Sequence, residues 1–227
     1  VYVGTINGKR HTFQASGSLW QDALVMQDLE TETLWSQVSG KGITGPLTGS
    51  ALTLYPSSTT TYAEFKKMYP EGKLLAKPEK FEEGSPYSDY FSDSTKLGIF
   101  GRVDNFKRVP GKTRVIGLRL DHGDVAITVD KLASNKIVVI DKAEPKVVVI
   151  FDAETGTGFA YKLAGLSGEQ AADVSINGTV LTVGQATWDV RTGSPTDGKS
   201  AALAPVPMIT AFWFAWASFF PTSDLVQ

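Results

Sequence analysis

The chain has 227 residues, 42% hydrophobic and 20% charged, which is enough apolar material for one large core or two small ones. Its 22 basic and 24 acidic residues leave a net charge of −2, which argues against broad electrostatic binding to nucleic acid or to an anionic membrane surface. Cysteine is absent, so disulfide scaffolds, thiolate metal centres and cysteine nucleophiles are excluded within this stretch.

The chain opens on Val1 in a strand-like run, with no basic segment followed by an apolar one. The expectation is a processed or trimmed product, or a numbering that begins inside a longer polypeptide. Asn7-Gly8 predicts a two-residue type I′ hairpin turn, because that geometry needs positive φ at both central positions. β-branched or alternating runs predict strands at Thr12–Ala15, Ala23–Gln27 and Ala51–Tyr55. The same reading gives Val115–Leu120, Val125–Val129, Lys136–Ile140, Val147–Phe151 and Thr179–Val183. Asp28–Thr31, Asp121–Asp124, Asp152–Gly156 and Asn177-Gly178 supply the turns between them. Only Thr60–Tyr69 and Ala211–Phe220 read as helices, the second with Thr210 as its N-cap. From about Glu71 to Thr113 the chain is rich in Pro, Gly, Ser and charge, with one candidate strand at Lys73–Ala76. The charged runs Lys77–Glu83 and Glu64–Lys67 read as solvated faces. The last helix packs six aromatics into ten residues but is far short of the ~20 residues that cross a bilayer.

The two helices align without gaps, Pro56–Pro70 on Pro207–Pro221. Tyr62, Phe65 and Tyr69 fall on Trp213, Trp216 and Phe220, a spacing that places each set on one helical face. Leu52 matches Leu203 in the same register, Trp35 matches Trp188, and Ile6-Asn7-Gly8 matches Ile176-Asn177-Gly178. The fold expected is therefore mainly β with two short helices. It comprises an incomplete first repeat at 1–70, an irregular connection at 71–113 and a second repeat at 114–227. Each aromatic set is expected to pack on its own sheet. Phe212, Phe214 and Phe219 replace Thr61, Ala63 and Met68, giving the second helix another apolar face. That face predicts an interface with the other repeat, an upstream segment or a partner chain.

These motifs resemble those of domain-of-unknown-function family 3179. The resemblance rests on Ser16-Gly-Ser-Leu, Asp22–Met26, Asp28-x-x-Thr31-x-x-x-Trp35-Ser-Gln37 and Gly42-x-x-x-Gly45-Pro46-Leu47-x-Gly49. It continues through Pro86-Tyr87-x-x-Tyr90-Phe91, Arg114–Gly117 and Ala211–Trp216. The resemblance implies a bacterial or archaeal protein with an export signal or lipid anchor, and brings no activity with it. It also implies a Cys-Pro-Leu segment in the first repeat, which would lie before Val1. The counterpart in the second repeat, Phe151–Gly156, has no thiol.

No catalytic constellation stands out. Gly-x-Ser-x-Gly and phosphate-loop patterns are absent, and His11 and His122, the only histidines, lack metal-ligand spacing. Trp35 and Gln37 could form a stacking and hydrogen-bonding pocket, or Trp35 could simply fill the core behind a hairpin. Tyr87 and Tyr90 lie on the long connection, as a lid over a site or a strap over the sheet. Asn177-Gly-Thr179 fits a glycosylation acceptor, although its turn role explains it. The reading is an extracytoplasmic, non-catalytic binding or structural component with a protein partner or self-association and no cofactor. One alternative is a metal or redox accessory, or an enzyme, whose reactive Cys and His lie upstream. Another is a carbohydrate-binding module.

Overall fold

The computed structural model describes residues 1–76, 87–99, 101, 108–164 and 173–227, and short antiparallel strands dominate them. β1 (Thr5–Ile6) and β2 (Lys9–Arg10) are joined through Asn7 and Gly8, whose φ values of 49° and 77° are those the type I′ turn demands. β3 (Phe13–Trp20), β4 (Ala23–Asp28), β5 (Leu34–Ser36) and β6 (Gly42–Thr44) follow as an antiparallel meander in chain order. Ala51–Tyr55 makes only isolated bridges, Lys41 to Ala51 and Tyr2 to Leu54, and Lys73–Ala76 forms no strand. The run Lys77–Glu83 lies outside the described residues.

Among the described residues, α1 (Tyr62–Met68) and α2 (Ser88–Ser92) precede the next strands. β7 (Arg114–Leu120) and β8 (Gly123–Thr128) pair through a turn at Asp121-His122. Then comes α3 (Val129–Asn135), which the strand reading of Val125–Val129 overran. Its N-cap is Thr128, whose hydroxyl accepts the Lys131 amide, while Val129 and Leu132 enter the core. β9 (Ile137–Ile140), β10 (Val147–Asp152) and β11 (Thr157–Lys162) form one antiparallel sheet, which β15 (Ala204–Pro205) joins beside β11. β12 (Val174–Asn177), β13 (Val180–Val183) and β14 (Ala186–Asp189) form a three-stranded sheet. The residues that turn between β12 and β13 are Gly178 and Thr179, one step later than expected, with positive φ at Gly178 only.

β16 (Met208–Phe212) pairs antiparallel with β7, and β17 (Asp224–Val226) pairs parallel with β8. Between them α4 (Trp213–Phe219) lies on that sheet. Its N-cap position is Phe212 rather than Thr210, which belongs to β16. A Cβ on Gly117 would come within 2.0 Å of the Trp216 ring, so the helix sits this close only because β7 has no side chain there.

β10 explains why Val147–Phe151 is continuously apolar instead of alternating. Val147, Val149 and Phe151 face the core with Ile116, Leu118, Ile127 and Leu132, whereas Val148 and Ile150 face Tyr161, Leu181 and Trp188. A strand buried on both faces has no solvent side to encode. A further cluster joins Ala23 and Val38 of the first part to Val115, Trp213, Trp216 and Phe220.

Candidate functional site

β4 ends at Asp28, where a tight bonding pattern closes the hairpin to β5. The Thr31 amide and hydroxyl donate to Asp28 Oδ1 at 2.7 and 2.8 Å, and the Trp35 indole N–H donates to Oδ2 at 2.8 Å. Asp28 is fully buried. Burial alone would raise its pKa, but the donors from Trp35, Thr31 and His11 outweigh it and hold the carboxyl below its ordinary range. His11 lies between β2 and β3, and its Nδ1 is 3.2 Å from Asp28 Oδ1. An ionised carboxylate only accepts, so the proton of this bond sits on Nδ1. Glu30 approaches the same nitrogen at 3.8 Å and accepts the Thr12 amide at 2.8 Å, which lowers its pKa.

His11, Asp28 and Glu30 thus offer three ligand atoms within 4.8 Å of one another. The spacing suits a divalent cation, but the donors already on Asp28 account for the cluster without one. Asp-x-x-Thr turns of the same kind recur at Asp152 and Asp189 without a histidine. Thr155 donates to Asp152 and contacts Thr157, and Thr192 donates to Asp189 and accepts from the Ser194 amide. The Asp-x-x-Thr motif is therefore a way of closing hairpins. Sequence spacing alone could not add His11 to it, because the contact depends on how the strands pair.

Trp35 is 0% exposed, with Phe13 edge-on at 6.1 Å and Ile6 and Leu52 beside it. Gln37 is at the surface, and its main-chain carbonyl accepts the Tyr2 hydroxyl at 2.8 Å. The structure does not bring Trp35 and Gln37 into one pocket, and no ring face of Trp35 is open for stacking. Gln37 instead borders a cleft of about 680 Å³, walled also by Tyr2, Ser58, Arg114, Asp130 and Glu154.

Tyr87 is exposed at the start of α2, and Tyr90 is half-buried within it. The Lys112 ammonium lies 3.8 Å from the Tyr90 ring centroid and donates to the carbonyls of Tyr90 and Asp93. Phe91 reaches Phe212 at 6.1 Å, and Phe212 stacks on Phe214 at 6.2 Å. Phe214 is buried, and half-buried Phe219 meets Trp20 of the β3–β4 hairpin edge-on at 5.2 Å. The extra apolar face of α4 therefore contacts α2 and the first meander.

α1 departs most from expectation. Trp213, Trp216 and Phe220 are buried on the β7–β8 sheet, but α1 has no buried residue. Tyr62 is 62% and Tyr69 44% exposed, so this aromatic set does not pack on a sheet of its own. α1 is held instead by polar contacts with the later strands. Arg191 pairs with Glu64 at 3.2 Å, the Thr157 hydroxyl donates to Thr60 at 2.6 Å, and Ser58 donates to the Gly158 carbonyl at 2.6 Å. Phe65 and Tyr69 border an open cleft of about 760 Å³, with Phe159 and Tyr161 on its other wall.

Among the described residues no helix is long and apolar enough to cross a membrane. No curated protein and no solved structure matches the chain. One family model does, described as "Protein of unknown function (DUF3179)", over residues 1–223. With the motifs from Ser16 to Trp216 inside that match, the chain belongs to the DUF3179 family.

Proposed function

We propose that this protein is a non-catalytic component of a larger assembly, and that the aromatic face of α1 is where it docks a polypeptide partner. The observation that carries this reading is the exposure of Tyr62 and Tyr69 on a helix whose aligned counterpart buries the same positions. Large aromatics at i, i+3 and i+7 form a continuous apolar stripe, and such stripes stay exposed at a cost unless something covers them. An extracytoplasmic setting joins the proposal through the export signals usual in the family resembled.

Hydroxyl-radical footprinting tests it. Tyr62 and Tyr69 should be strongly oxidised in the purified 227-residue chain and protected in the protein as it occurs in its host. Equal oxidation in both preparations would sink the reading.

A further inference from the structure

The α1 face has a counterpart that says what would cover it, and the correspondence extends well beyond the helices. Tyr55 N donates to Val1 O at 2.8 Å, and Val206 N donates to Ala160 O at 2.8 Å. Tyr2 bridges Leu54 as Tyr161 pairs with Pro205. The Tyr2 hydroxyl donates to the Gln37 carbonyl, and that of Tyr161 to the Val190 carbonyl. Gly40 and Gly193 have φ of 68° and 67°, and a Cβ on either would come 2.7 Å from the tyrosine ring beside it. Leu52 N donates to Gly40 O as Leu203 N does to Gly193 O. The caps of the two helices agree as well: φ, ψ of −73°, 154° and −75°, 149° at the start, −133°, 77° and −131°, 63° at the end. These matched bonds support reading the two parts as copies of one unit.

In the later part, pairing runs on past Val206: Met208–Phe212 becomes β16, bonded along β7, and α4 closes over Gly117. In the earlier part the pairing stops at Tyr55. Among the described residues Ser57–Thr61, which align with β16, have no strand partner, and α1 buries no residue. The open edge and the exposed helix face follow directly on the pairing of Tyr55 with Val1.

We infer that this surface takes an antiparallel β-hairpin of the β7–β8 type. Its first strand pairs with Ser57–Thr61, a glycine stands opposite Phe65, and inward apolar side chains fill the cleft beside Phe65 and Tyr69. The pairing supplies main-chain bonds along an extended edge, and the glycine supplies selectivity by steric exclusion. This inference rests on the docking function proposed above and names its partner's chemistry.

The probe is a labelled synthetic hairpin with the sequence Arg114–Thr128, closed by a disulfide between added terminal cysteines so that it is folded before it meets the full chain. Fluorescence anisotropy should rise saturably. Affinity should fall at least about tenfold for the Phe65→Lys chain, and equally for a hairpin carrying Gly117→Val, because a Cβ there collides with the ring. Phe65 is not buried, so the variant is expected to fold, which circular dichroism checks. No binding, or equal binding of the glycine and valine hairpins, overturns the inference. Protection of Tyr62 in the native protein together with no hairpin binding would leave the docking function standing and remove only its occupant.

Discussion

Asp28 is the residue on which the first meander turns. An ionised carboxylate without solvent survives there because four donors converge on it. Asp28→Asn would set an amide N–H₂ against donors that need an acceptor, and should cost about 3 kcal/mol in urea unfolding. The pH dependence follows from the lowered pKa. Asp28 contributes its stability above the ordinary carboxylate value of about 3.9, and loses it as pH falls through the lower folded value. Acid titration of unfolding should therefore show a limb below about pH 4 that is shallower in Asp28→Asn. Tyr2 is a second sensitive residue. Burial outweighs the nearby Arg119 and pushes its hydroxyl up to about 12, and that hydroxyl donates to the Gln37 and Val38 carbonyls. Tyr2→Phe should lower stability by about 1 kcal/mol, measured as a shift in the denaturant midpoint at unchanged slope. The Asp28–Thr31 turn was readable in the sequence because an Asx turn is local. The bond to His11 was not, since it spans 17 positions and depends on strand pairing.

Among the elements, the contrast between α1 and α4 is the most instructive. Helical spacing located both, and for α4 it located the buried face. For α1 it predicted burial that did not follow, because periodicity says which side chains line up and not whether a surface exists to receive them. The missed helix α3 shows the opposite limit. Thr128, Val129 and Leu132 form a legible cap and stripe, but a β-branched run leads straight into them. Gly117 sets the seat of α4. Gly117→Ala should cost about 3 kcal/mol by overpacking, seen as a fall of roughly 6–12 °C in Tm. Pairing it with Trp216→Leu should recover part of that loss, because the smaller side chain can yield. If the double variant is as unstable as the sum of the singles, the contact is not what fixes the helix.

At the scale of the whole molecule, α1 is tied to the later strands by polar contacts rather than by a core. Arg191 and Glu64 supply an ion pair, partly shielded from solvent, in that tie. Arg191→Ala should barely alter global unfolding, since such a pair contributes about 1 kcal/mol at most. It should raise the exchange rate of the Phe65–Met68 amides about fivefold by easing local opening, readable by hydrogen exchange. The mainly β class was legible because turn chemistry and β-branched runs recur along the chain. How the sheets meet was not: β10 reads as one more apolar run, whereas in the structure it is a wall shared by two cores.

The order in which β7 and β8 find their sheet partners bears on how the protein is made. Each strand meets the other at once, but β16 and β17, which complete the four-stranded sheet, lie about a hundred residues further on. During synthesis the face of the hairpin that α4 covers must wait with Val115 and Ala126 exposed until Trp213–Phe220 has left the ribosome. Nascent chains stalled before Met208 should therefore engage chaperones and resist protease poorly, and both properties should change sharply once Val226 is free.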